Sequence, residues 1–194
     1  MNKTSAKIRK IVGLGLFTAI VFVLQMLGAF IRFGPFSISL VLVPIVVGAA
    51  MYGAAGGAWL GFVFGMAVII SGDAAAFLVV NPLGTVATVL IKGIAAGLGA
   101  GFVYKLAASK NRYVAVAASA VASPILNTGV FLIGCFLFFL PTIAGWASAE
   151  GYGGNAVQYL IFVMVGLNFI VEMVINVVLC PVILRILRAA GLKN

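Results

Sequence analysis

The chain of 194 residues has no histidine, two cysteines and three acidic residues. Without histidine a Ser-His-Asp triad cannot form, and the commonest nitrogen ligand for a metal is missing. Asp73, Glu150 and Glu172 fall in different segments, so no pair of carboxyl groups is placed for general acid–base work. Cys135 and Cys180 are expected near opposite ends of two apolar runs, separated by roughly the thickness of a bilayer. They read as small apolar core residues and not as a disulfide. No G-x-x-x-x-G-K-[ST] phosphate loop occurs, and the connecting segments leave no room for a nucleotide-binding domain. The expectation is a protein that is not an enzyme, carries no cofactor or resident metal, and does not hydrolyse ATP itself.

What is abundant is hydrocarbon. Hydrophobic residues make up 64% of the chain and charged ones 8%, with a mean hydropathy of +1.29. That composition belongs to an all-α integral membrane protein. About 20 apolar residues cross a bilayer as a helix. Six such runs are expected, at 11–30, 38–51, 54–71, 82–105, 114–140 and 156–184, packed as a six-helix bundle in a single domain, 1–194. Pro44 and its short length make the second run a segment that dips or tilts. The first follows a basic stretch, 1–10, as a secretory leader would, but its apolar core is too long for one and is read as a membrane helix. Of the 12 lysines and arginines, Lys92 lies inside a span and Arg32 on the opposite side to the rest. The remainder (Lys3, Lys7, Arg9, Lys10, Lys105, Lys110, Arg112, Arg185, Arg188 and Lys193) gathers on one side. Cytoplasmic loops carry such an excess, so both termini are expected in the cytoplasm. The basic charge needs no nucleic acid to explain it.

Two glycine ladders, Gly53-Gly57-Gly61-Gly65 and Gly93-Gly97-Gly101, recur every four residues and predict close helix packing in lipid. Asn81-Pro82 marks a helix start. Pro124 removes a backbone hydrogen bond inside the fifth run and predicts a kink there, with Asn127 within one turn. Lys92 is the only charge in the run from Pro82 until Lys105 is reached. A charge at that depth needs a partner and points to a functional site. Glu172 is the only acid in another apolar run, and Asn168, Glu172 and Asn176 share one helix stripe. Lys92, Asn127, Asn168 and Glu172 are therefore expected to converge, as a pocket for a small solute, as a polar lock between helices, or as a proton relay. Trp146 and Tyr152, with Tyr159, lie in or beside a glycine-rich segment that reads as a lid over a solute or as an interfacial aromatic belt.

Lys7-Ile-Arg-Lys10, Phe33-Gly-Pro-Phe36 leading into Ser39–Pro44, Asn81-Pro82-Leu83-Gly84 and Pro124-Ile-Leu-Asn127-Thr128-Gly129, in that order, resemble the S components of energy-coupling factor (ECF) transporters. The resemblance implies a multi-pass protein of a prokaryotic cell membrane that captures a vitamin from outside. It further implies partners: a transmembrane coupling subunit and two ATPases. Members dock through an alanine-x-x-x-alanine face on the first helix, matched here by Gly15 and Ala19. Lys92 favours an anionic vitamin such as pantothenate, nicotinate, biotin or folate. Similarity of the Asn81-Pro82-Leu83 region to pantothenate-type members adds Asn81 to the substrate-binding residues and makes pantothenate the first choice. If Glu172 neutralises Lys92, riboflavin fits equally well. A stand-alone carrier or channel driven by an ion gradient, with Lys92 and Glu172 as coupling groups, and a structural scaffold are the competing readings.

Overall fold

A computed structural model describes residues 3–30, 32–33, 36–37 and 40–190. The expected start of the second span at Ile38, the Gly34-Pro35 pair, Ser39 and Lys193 lie outside the described residues. The chain is built from α1 (Lys3–Gly28), a two-stranded antiparallel ladder of β1 (Arg32–Phe33) and β2 (Phe36–Ser37), then α2 (Leu42–Ile70) and α3 (Ala75–Leu78). It continues through α4 (Pro82–Ala108), α5 (Arg112–Phe138), α6 (Leu140–Ala149) and α7 (Ala156–Tyr159). A π-helical stretch (Leu160–Gly166), α8 (Leu167–Val178) and α9 (Cys180–Ala189) complete it. Five helical segments are long and apolar enough to cross a membrane. Six had been expected.

The difference lies at Gly53. The second and third expected spans form one helical run, α2, interrupted at Gly53 with φ 81° and ψ −179°. That backbone conformation is open to glycine alone. The run doubles back there. A β-carbon added to Gly57 would meet the Ala49 side chain, and one added to Gly48 would meet Leu60. In a straight helix those pairs would stand about 12 and 18 Å apart. Leu42 and Ile45 likewise share a core cluster with Leu60, Val63 and Phe64. The first arm, 42–52, is about 16 Å long and cannot cross a hydrocarbon layer of about 30 Å alone. No linker is needed because a single glycine supplies the reversal.

The second arm packs against α4 backbone to backbone. A β-carbon placed at Gly57, Gly61, Gly93 or Gly97 would fall within 3.0 Å of a carbonyl oxygen on the facing helix, and one at Gly65 would do the same at Val89. Both ladders therefore do what small-residue faces do in lipid. α4 and α5 run antiparallel, with Gly134 against Thr88 and Gly99 against Leu126. At the basic end Arg188 of α9 donates a hydrogen bond to the Tyr113 hydroxyl of α5. This end also gathers Gly53 and the α4–α5 turn, joined by a cluster of Val46, Val47, Ala100, Val116, Ile183 and Leu187.

Two of the expected spans differ in how their backbone runs. α5 runs as one helix through Pro124. The last span, expected as continuous over 156–184, instead carries the π-helical stretch and a break at Leu179 before α9. Pro181, without an N–H, explains the break. The glycine-rich segment after α5 is largely helical as well. Leu140–Ala149 forms α6, because Pro141 suits its first turn and Ile143 and Ala147, one turn apart, are buried. Only the turn before Asn155 keeps positive φ, at Gly151, Gly153 and Gly154.

Candidate solute-binding site

The antiparallel registers stack polar residues in layers. α4 against α5 puts Lys92 level with Phe131, and the Lys92 ammonium sits 5.3 Å from that ring centroid and 5.6 Å from the Phe64 centroid. Such contacts stabilise a cation by roughly 0.5–2 kcal/mol, more where water is excluded. Asn168 of α8 lies at this level. One turn deeper come Asn127 of α5 and Glu172 of α8, 5% and 2% exposed. A turn below them are Ser123 and Asn176, both fully buried. Glu172 and Asp73 are the two acids that line the same cavity as Lys92.

Lys92, Asn127, Asn168 and Glu172 all line one cavity, which opens to solvent. Its wall is otherwise mostly apolar, with Phe64, Phe77, Phe131 and Phe169 and with Val68, Val89, Met164 and Val165. With Gln25, Asp73 and Thr128, seven of the sixteen lining side chains are polar and three of those are charged, so the hollow suits a polar solute with an apolar portion. Met164 and Val165 come from the π-helical stretch, whose extra residue per turn offsets the face that reaches the cavity.

Two lining residues were not anticipated from the sequence. Gln25, 1% exposed on the face of α1 that also buries Val21, donates through Nε2 to Asp73 Oδ2 at 2.8 Å, and both border the cavity. The signal for Gln25 was present, since it is a lone amide in an apolar run. Asp73 carried none, as a loop acid normally faces water. This bond ties α1 to the connection between α2 and α3 across the rim.

A family model for the ECF transporter, substrate-specific component, matches residues 9–184. The chain belongs to that family. Comparison with curated proteins and with solved structures finds no match. As a substrate-specific component it is a multi-pass membrane protein that takes part in transport and binds a substrate, in a family whose members couple to a transmembrane subunit and ATPases.

The other residues expected to touch substrate stand elsewhere in this S component. Asn81 is a helix cap: its Oδ1 accepts from the Gly84 backbone N–H at 2.9 Å, leaving its carboxamide committed to α4. Trp146 stacks edge-on against Phe77 at 5.4 Å, and Phe77 in turn borders the cavity. Trp146 thus backs the wall without forming it. Tyr152 packs on Tyr159, whose hydroxyl donates to Glu150 at 2.9 Å. Gly15 and Ala19 lie exposed on α1, and a β-carbon at Gly15 would meet nothing within 4 Å. Gln25→Leu is expected to keep the fold yet raise the rate of solute release about tenfold, because losing the 2.8 Å bond loosens the rim. Stopped-flow displacement of bound solute would measure it, and an unchanged release rate would assign the bond to packing alone.

Proposed function

We propose that this S component captures a small water-soluble vitamin carrying a carboxylate, with pantothenate the first candidate, and presents it to a separate coupling subunit with two ATPases. The observation that carries this reading is the meeting of Lys92, Asn127, Asn168 and Glu172, from three helices, in one phenylalanine-walled cavity. Lys92 meets the carboxylate, and the aromatic wall covers an aliphatic body. The basic end of the bundle faces the cytoplasm, by the excess of lysine and arginine there. The cavity is bordered by Gln25, Asp73 and Phe77 from the opposite end, which supports capture from outside. Six helices, with the first arm of α2 as a partial crossing, return the chain to the side on which it began.

Mass spectrometry of solute released from the purified protein, paired with thermal shifts against a vitamin panel, tests the proposal. A carboxylate vitamin that co-purifies and raises the melting temperature is the expected result. An empty protein indifferent to the whole panel would refute it. The flat aromatic wall favours one second reading, a neutral ring such as riboflavin between Phe64, Phe131 and Phe169, with Lys92 balanced by Glu172.

Gly15 and Ala19 fit a docking face for the coupling subunit. Gly15→Leu is expected to leave solute binding unchanged and to reduce uptake at least about tenfold, since the added side chain projects from an open helix face. Uptake in cells together with binding by the purified variant separates the two effects; normal uptake would move the interface away from Gly15.

A further inference from the structure

The polar groups below Lys92 have a common character. Asn127 Oδ1, which borders the cavity layer, is buried with no hydrogen-bond partner, and so are Ser123 Oγ and Asn176 Oδ1 one turn deeper. Asn176 donates its Nδ2 to the Glu172 backbone carbonyl at 2.9 Å, which leaves its oxygen as the group without a partner. In hydrocarbon such atoms cannot turn to bulk water, so an unpaired acceptor costs about 1–3 kcal/mol. The cation above is already faced by aromatic rings and by acids. Of the three residues, Asn127 is the one that lines the cavity, and its Oδ1 accepts no hydrogen bond from the protein.

We infer that the captured solute is bipolar, with an anionic group at Lys92 and a hydroxyl or N–H donor at its opposite end, directed at Asn127 Oδ1. This rests on the capture reading above and narrows it. Carboxylates whose far end offers no donor, such as nicotinate, are poor ligands even though Lys92 suits their charge. A site built to accept hydrogen bonds rejects an analogue without them more strongly than an apolar pocket rejects a missing methylene. Pantothenate, with a carboxylate at one end and two hydroxyls and an amide N–H toward the other, meets both requirements.

Titration calorimetry of the full chain in detergent with pantothenate, nicotinate and riboflavin decides the matter, using the wild type, Asn127→Leu and the milder Asn127→Ser. Wild type is expected to hold pantothenate at least about a hundredfold more tightly than nicotinate. Asn127→Leu should weaken pantothenate about tenfold or more and nicotinate by a clearly smaller factor. Asn127→Ser, which keeps a small polar group, gives the same direction if the leucine variant does not fold. Nicotinate binding as tightly as pantothenate, or both falling equally in the variants, overturns the donor requirement and leaves vitamin capture standing. Riboflavin binding alone, weakened by Asn127→Leu, keeps the donor requirement through its hydroxyl chain and overturns the anionic reading. No binding of any of the three overturns both.

Discussion

Lys92→Met is expected to reduce solute affinity by about a hundredfold while most of the protein still folds. The substitution keeps an unbranched stem of similar length, so packing against Phe64 and Phe131 survives. What goes is the positive charge at the top of the cavity. A hydrogen bond to a charged group contributes about 1.5–3 kcal/mol, and each 1.4 kcal/mol is a factor of ten. The loss is compounded because Glu172, which lines the same cavity, would then stand near a carboxylate solute without the lysine to balance it. Pairing Lys92→Met with Glu172→Gln separates function from architecture. If the two residues serve only as a lock, the double variant loses stability with no specific effect on binding. If they serve the solute, it recovers folded yield and still fails to bind. Binding isotherms and melting curves on the four proteins give the answer, and full affinity in either Lys92 variant would remove the lysine from the site.

Gly61→Leu is expected to abolish the folded protein. Its β-carbon would fall within 3.0 Å of the Gly93 carbonyl oxygen, on a helix whose backbone cannot yield as a flexible side chain would. Overpacking usually costs about 1–3 kcal/mol, and here the whole face from Gly57 to Gly65 must lift away from α4. The cost therefore exceeds that range and consumes much of a typical stability of 5–15 kcal/mol. Gly61→Ala should be damaging in the same sense and less completely. Gly15→Leu, the same change where nothing lies within 4 Å, is the control that should fold normally. Monodisperse yield by size-exclusion chromatography, with the melting temperature of whatever survives, measures all three. A well-behaved Gly61→Leu protein would mean that α2 and α4 do not touch through their glycines.

Much of this was legible beforehand for physical reasons. A lone lysine and a lone glutamate in hydrocarbon have few places to go, so Lys92 and Glu172 found one cavity together with Asn127 and Asn168. The glycine ladders likewise announced a close approach, though not which helices would meet. Asn81 stands outside the cavity as a helix cap, since the same short amide side chain serves a cap and a ligand contact equally well and only geometry separates them. Trp146 and Tyr152 stand outside its lining for another reason. Glycine-rich sequence suggested a loose lid, while the one-turn spacing of Ile143 and Ala147 folded most of it into α6. The π-helical stretch and the reversal at Gly53 have no signature in apolar periodicity, which registers where greasy residues recur and not how the backbone turns between them.

That reversal has a consequence for how the molecule meets its neighbours. With one residue turning the chain between the two arms of α2 and three (Ser109, Lys110 and Asn111) joining α4 to α5, the basic end of the described residues offers almost no free loop for another protein to hold. That end therefore presents helix ends and flanks to a neighbour, and on a flank within lipid smoothness and small size count for more than charge.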